Sequence, residues 1–224
     1  MKKKILIIGG NSPIARAYCK MFGSHYNIIS TSSKNLKKSK LIHLDLESES
    51  SIIKFLNILG AKKFDRILVC SGIINGKNIK DTSFNEIQKV FQINAVGIIK
   101  IFTKIISNNT KKGTKIIFVT SISERKGSYD EVYAGSKGAL SKFAKSIANN
   151  YGKKIRVNTI APSVIEGTRM EKMMSRENIN KIKNMTPNKK ILKINDVGKI
   201  IEDLFNDHWD HTNGSVIDIN GGLY

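Results

Sequence analysis

Tyr133 and Lys137 stand four residues apart in the run Tyr133-Ala134-Gly135-Ser136-Lys137-Gly138-Ala139-Leu140. On a helix that spacing puts both side chains on one face, one turn apart. A neighbouring ammonium favours tyrosinate and brings the phenol toward working pH. The pair therefore suits proton donation to, or removal from, a substrate oxygen. Ser121, at the end of the run Ile116-Ile117-Phe118-Val119-Thr120-Ser121, offers a hydroxyl to align or polarise that oxygen. Tyr-Lys pairs at this spacing also arise by chance, so an ordinary helix-surface pair and a strand-capping serine are the competing readings.

A second constellation opens the chain. The apolar run Ile5–Ile8 passes directly into Gly9-Gly10-Asn11-Ser12-Pro13-Ile14-Ala15 and then a helix-like stretch. A small-residue turn between a buried strand and a helix lets backbone amides approach a phosphate, and the helix N-terminus adds partial positive charge. Gly10, Asn11, Ser12 and Ile14 are the candidate contacts. Pro13 is tolerated at a helix start, where its missing donor costs little.

The next strand ends at Ser30-Thr31-Ser32-Ser33-Lys34, with no acidic residue between Asn27 and Leu44. An NAD site often holds the adenosine ribose with a carboxylate here. Ser32 and Lys34 suit a 2′-phosphate instead, which favours NADP over NAD. Asp45, beside Leu46, is placed to hold the adenine edge, although a helix cap or a solvent-facing turn is an equal alternative. With a nicotinamide dinucleotide, the Tyr133 proton would accompany hydride transfer between cofactor and carbon.

These residues need a scaffold. Apolar, β-branched runs at Ile5–Ile8, Ile28–Ile29, Leu41–Leu44, Ile67–Val69, Ile116–Val119, Ile155–Ile160 and Val216–Ile219 read as strands. Ile14–Phe22, Ser50–Leu59, Phe84–Ile106, Tyr133–Tyr151 and Val197–Phe205 have helical spacing. The alternation predicts an α/β, doubly wound, Rossmann-like fold, with about seven parallel strands and helices on both faces. No repeat, linker or composition break divides residues 1–224, which read as one NAD(P)-binding catalytic domain. The polar, Met-containing segment Glu171–Lys193 reads as a loop with one or two short helices, a plausible cover for a site.

The order of glycine turn, strand-end serine and Tyr-x-x-x-Lys resembles the short-chain dehydrogenase/reductase family. The likeness extends over nearly the whole chain: Asp65–Gly72 resembles its D-x-L-V-N-N-A-G strand, and Ile93-Asn94-Ala95-Val96-Gly97 its central-helix asparagine motif. Val157–Ser163 resembles V-N-x-I-x-P-G, and Asn213–Gly222 its strand-and-diglycine ending. The resemblance implies a tetrad. Tyr133 would be the acid/base, and Lys137 would lower its pKa and hold the nicotinamide ribose. Ser121 would bind the substrate oxygen, and Asn94 would position a water in a proton relay to Lys137. It also implies cofactor contacts at Ser71, Gly72, Pro162, Val164 and Thr168, besides Tyr133 and Lys137. The departures fall at the nucleotide end. The glycine turn is one residue short, Pro13 and Ala15 replace the later glycines, Val69 and Cys70 replace the asparagines, and Ser163 replaces a glycine.

Composition bounds the rest. Of 224 residues, 40% are hydrophobic and 25% charged, ordinary values for a globular domain. A formal charge of +20 raises the question of nucleic acid. The lysines are scattered, and no zinc-finger spacing, basic helix or aromatic-interleaved basic motif accompanies them, so specific nucleic-acid binding is not expected. Cys19 and Cys70 lie in apolar settings without metal-like spacing, so no metal site is expected and both read as reduced thiols. The basic start MKKKILIIGG has too short an apolar run for a membrane span or secretion signal, and the chain reads as cytoplasmic. The expected substrate is a small carbonyl compound or alcohol. Arg169, Arg176 and several lysines near Met170, Met173, Met174 and Met185 are compatible with an anionic or carrier-bound one. Resemblance suggests a 3-oxoacyl-carrier reductase, a nucleotide-sugar or polysaccharide reductase, and assembly as a homodimer or homotetramer. A noncatalytic NADP-binding regulator or scaffold is the alternative, disfavoured by the intact Tyr-Lys pair.

Overall fold

The structure, a computed structural model, describes residues 2–34 and 40–223. Apolar β-branched runs make the strands β1 (Lys3–Ile8), β2 (Tyr26–Ser32), β3 (Ile42–His43), β4 (Phe64–Val69), β5 (Thr110–Val119), β6 (Ile155–Pro162) and β7 (Val216–Ile219). They form one sheet in the order β3-β2-β1-β4-β5-β6-β7, with every neighbouring pair parallel. Parallel strands need crossovers, and helices supply them: α1 (Pro13–Phe22), α2 (Glu49–Leu59), α3 (Phe84–Phe91), α4 (Gly97–Asn108), α5 (Ser123–Lys126), α6 (Glu131–Tyr151), α7 (Arg169–Met173), α8 (Arg176–Met185) and α9 (Ile194–Leu204). This is the doubly wound arrangement that the alternation predicts.

Period-two alternation in β1 divides its side chains between two cores. Leu6 and Ile8 join Phe55, Ile101, Phe102, Phe118 and Leu140 on the side of α2, α4 and α6. Ile5 and Ile7 join Tyr18, Ile117, Val197, Ile201 and Phe205 on the side of α1 and α9. Both strand faces are buried, which explains why the strands read as continuous apolar runs.

α3, a π-helical turn over Gln92–Val96, and α4 run on as one helix. Its length and composition suffice for a membrane span. In the fold, Ile98, Ile101, Phe102 and Ile105 are buried against the sheet, which accounts for the apolar run.

The sheet order turns back between β1 and β4. Ligands of open parallel sheets sit beyond the strand C-termini at such a point. The N-terminal edge of the sheet carries a different feature. Arg66 is buried there, stacked between the rings of Tyr26 and Phe205 at 4.7 and 4.9 Å and paired with Glu202 at 2.9 Å. Glu202 also accepts hydrogen bonds from Tyr18 and Tyr26 at 2.7 and 2.6 Å. Tyr26 therefore belongs to a structural tie among β2, β4, α1 and α9.

Candidate active site

β1 is followed by Gly9, whose φ of +84° turns the chain toward α1. A Cβ on Gly9 would lie 2.6 Å from the Ser71 amide nitrogen, so the turn packs directly on the end of β4. Ser12 caps α1, its hydroxyl accepting from the Ala15 amide at 3.2 Å, and Pro13 occupies the first turn. The Gly10 amide donates to the Thr31 carbonyl at 2.7 Å, and the Ser12 amide to the Gly9 carbonyl at 3.0 Å. A ≈280 Å³ cavity opens over this turn, walled by Asn11, Ser12, Ser32, Asp45, Leu46 and the Cys70–Gly72 segment. A ≈180 Å³ cavity shares Ser12, Cys70, Ser71 and Gly72 with it and continues to Ile14, Ser121, Tyr133, Lys137, Pro162 and Thr168.

Asp130 caps α6 by accepting from the Tyr133 amide at 2.9 Å, and it accepts from the Gly76 amide at 2.6 Å. That contact joins the start of α6 to the loop after β4. Lys137, one turn on, is buried and donates to the Val119 carbonyl at 3.2 Å. Asn94 lies in the π-helical turn. It accepts from the Ile73 amide at 2.7 Å and donates to the Ile73 carbonyl and the Ser136 hydroxyl, both at 2.9 Å.

The family model described as Enoyl-(Acyl carrier protein) reductase matches residues 23–224. The chain belongs to that family, within the short-chain dehydrogenase/reductases. The chain is 29% identical to the 3-oxoacyl-[acyl-carrier-protein] reductase FabG of Buchnera aphidicola, with 100% of this chain and 98% of that one aligned. It is similar to a short chain dehydrogenase family protein of Francisella tularensis, with a TM-score of 0.86, 26% identity, and coverage of 100% and 99%. A Burkholderia cenocepacia short chain dehydrogenase in complex with NADP has the same fold, with a TM-score of 0.87, 18% identity, and coverage of 100% and 98%. This short-chain dehydrogenase/reductase is an NAD(P)-dependent oxidoreductase.

The electrostatics differ from the sequence-based expectation that Lys137 lowers the pKa of Tyr133. Burial dominates the Tyr133 phenol and pushes its pKa up to about 12, with hydrogen bonding between the Tyr133 and Ser121 hydroxyls as the opposing influence. Burial also depresses Lys137, to about 8, with Cys70 and Glu124 opposing. Lys137 Nζ lies 5.8 Å from the centre of the Tyr133 ring.

The cavities gather Asn11, Ser12, Ile14, Ser32, Asp45, Leu46, Ser71, Gly72, Ser121, Tyr133, Lys137, Pro162 and Thr168. Gly10 faces the other way, toward Ser30 and β2. Lys34 is exposed beyond the cavity wall, its amide donating to the Ser32 hydroxyl at 3.0 Å. Asp45 does not cap α2, a role taken by Ser48; its carboxylate accepts from the Glu47 amide at 2.9 Å. Val164 lines a third cavity, ≈440 Å³, which begins at Ser121, Ser163 and Met170 and continues over α7 and α8.

Sequence reasoning missed Ile73, Asp130 and Glu124. Asp130 carried a legible signal, an acidic residue three positions before Tyr133 at a helix start. Ile73 and Glu124 enter through loop geometry that has no local signature.

Proposed function

We propose that the protein interconverts a ketone and a secondary alcohol, with NADP(H) preferred over NAD(H). The supporting observation is the convergence of Tyr133, Lys137 and Ser121 on one cavity that continues into the space above the Gly9–Ala15 turn.

The residues present fit a dinucleotide. A Cβ on Gly72 would lie 2.8 Å from Lys137 Nζ and 3.2 Å from Asn94 Oδ1, so the bare backbone leaves room for a ligand beside the lysine. The Ser71 hydroxyl is sealed from solvent without a hydrogen-bond partner among the described residues. Asn11 and Ile14 offer amides for a diphosphate, whereas the Gly10 amide is already committed to Thr31. Ser32, Ser33 and Lys34 would receive a 2′-phosphate, and Asp45 with Leu46 the adenine. Ser71, Gly72, Pro162 and Thr168 would line the nicotinamide half, with Val164 behind it.

The dinucleotide, when bound, supplies or accepts the hydride. Ser121 holds the substrate oxygen and Tyr133 exchanges the proton with it. A phenol raised by burial is fully protonated at neutral pH, which suits donation during carbonyl reduction. Lys137 holds the nicotinamide ribose and favours the phenolate that donation leaves behind. Asn94 fixes the Ile73 backbone and Ser136 and leaves one acceptor site on Oδ1 for a relay water.

The substrate cavity is walled by Ile74, Ile122, Val164, Met170, Met173 and Ile182. That lining favours an acyl or other apolar body over a sugar. Arg169, Lys172 and Arg176 are exposed on α7 and α8, which suits an acidic carrier. The 3-oxoacyl-carrier reaction is therefore the preferred reading. The free thiols Cys19 and Cys70 support a reducing, cytoplasmic setting, and the helices bearing Asn94 and Tyr133 are the expected homodimer or homotetramer surfaces.

Fluorescence titration with NADPH and NADH, followed by NADPH oxidation with acetoacetyl-carrier protein, tests the reading. NADPH binding at least about tenfold tighter than NADH is expected. Binding of neither dinucleotide would overturn the reading.

A further inference from the structure

The cavity that begins at Ser121 is also walled by a residue from beyond the last strand. Ser121 follows β5, Ser163 follows β6 and Leu223 follows β7, and all three line it. These strands are neighbours in the sheet. Adjacent strands lie about 4.8 Å apart, so the cavity crosses roughly 10 Å of strand ends between Ser121 and Leu223.

The chain after β7 is built to hold Leu223 there. The Ser163 amide donates to the Ile219 carbonyl at 2.9 Å, which joins the middle of the cavity to the end of β7. Asn220 closes the following turn: its side-chain oxygen accepts from the Gly222 amide at 2.9 Å, and its carbonyl from the Leu223 amide at 3.3 Å. Gly221 and Gly222 take φ of +65° and +84° in that turn, a conformation that favours glycine. They also press on the chain leaving α8. A Cβ on Gly221 would lie 2.6 Å from Asn188 Nδ2 and 2.8 Å from Thr186 Cγ2, and one on Gly222 would lie 3.1 Å from Pro187 Cγ. Thr186 is buried and donates to the Ile182 carbonyl at 2.8 Å, so the same packing seats the end of α8, where Ile182 joins Leu223 in the cavity wall.

The rest of the apolar wall is compliant. Met170, Met173 and Met174 come from α7 and its C-cap. Methionine is unbranched, with three rotatable bonds, and repacks around what it meets. Leu223 is branched and sits on a turn held on two sides, so it yields less.

We propose that Leu223 is a specificity-determining residue, the stop that sets how long an acyl chain the cavity accepts. The proposal rests on the 3-oxoacyl reading of that cavity. A chain whose carbonyl is held at Ser121 runs across the strand ends past Ser163, and its far end meets the Leu223 side chain. Short and medium chains fit, and a longer one must leave past α7 into water.

The test compares NADPH oxidation by the full chain with N-acetylcysteamine thioesters of 3-oxobutanoic, 3-oxooctanoic and 3-oxododecanoic acid. Leu223→Ala should raise kcat/KM for the dodecanoyl substrate relative to the butanoyl one by at least about tenfold. Leu223→Trp should lower the octanoyl-to-butanoyl ratio by a similar factor. A ratio that stays at the wild-type value in Leu223→Ala would overturn the proposal and leave the 3-oxoacyl reading standing. Should Leu223→Ala fail to fold, the Leu223→Trp ratio decides in the same way. Turnover of none of the three thioesters by the wild type would overturn the 3-oxoacyl reading itself, and this proposal with it.

Discussion

Lys137 Nζ lies 5.8 Å from the centre of the Tyr133 ring and donates at 3.2 Å to the carbonyl of Val119. The lysine is thus aligned with the phenol along α6 while anchored on β5. Burial sets both pKa values, with Tyr133 up to about 12 and Lys137 down to about 8. The phenol therefore stays protonated through the range in which the lysine loses its charge. NADPH-driven reduction should fall as pH rises through about 8, where the ammonium is lost, and not near 10, where a free tyrosine titrates. Tyr133→Phe should keep dinucleotide affinity and lose at least about a hundredfold in kcat. Steady-state rates across pH, with the variant at pH 7, check both; undiminished turnover in Tyr133→Phe removes the phenol from the chemistry.

Lys137 should also cost stability. Its folded pKa lies below the ordinary lysine value of 10.5, so the unfolded chain binds more protons between about 8 and 10.5. Stability from this group therefore rises with pH across that window, and the cost is fully present below it. Lys137→Met should stabilise the ligand-free protein by on the order of 3 kcal/mol at pH 7, less the lost bond to Val119. The gain should vanish by pH 10.5. Urea unfolding at the two pH values measures it, and an equal effect at both would show that packing, not charge, governs the site.

The strands and long helices were legible because burial on both sheet faces leaves uninterrupted apolar runs and because the helices keep one apolar face at regular spacing. The Tyr133, Lys137 and Ser121 cluster was legible from spacing and strand position. Glu124 was not, since Ser141 is brought to it by the packing of α5 on α6. The orientation of Gly10 was not legible either. In sequence it reads as a phosphate contact, but hydrogen bonding to Thr31 ties its amide to β2. The effect of Lys137 on Tyr133 depends on how deeply both are buried, and spacing carries no measure of depth.

Cofactor choice should reside at the end of β2. Ser32 and Ser33 both line the first cavity, and Ser33 is exposed. Ser33→Asp places a carboxylate where a 2′-phosphate would lie, at little cost to the fold. NADPH affinity should fall by at least about tenfold while NADH affinity holds or improves, since like charges repel and a carboxylate accepts ribose hydroxyls. Parallel fluorescence titrations check it. Equal loss for both dinucleotides would place the 2′-phosphate elsewhere.

The opposite edge of the sheet provides a test of stability separate from catalysis. Arg66 is 4% exposed and Glu202 neutralises it, with Tyr18 and Tyr26 donating to the same carboxylate. Removing one member of a buried pair leaves an uncompensated charge and costs about 3–5 kcal/mol. Glu202→Ala should approach that loss at pH 7, while Glu202→Gln, which keeps an acceptor for the tyrosines, should lose less. Burial opposes ionisation of Glu202, but its hydrogen bonds from Tyr26 and Arg66 prevail and lower its pKa below 4.5. The contribution is therefore present above 4.5 and is lost as pH falls through the lower folded value. The gap between wild type and Glu202→Ala in urea midpoint should accordingly narrow in acid. Dinucleotide affinity of the folded variant should match wild type, because the pair lies at the far end of the strands from the cavity. A Glu202→Ala midpoint equal to wild type at pH 7 would mean that Arg66 finds solvent or another partner once the carboxylate is gone.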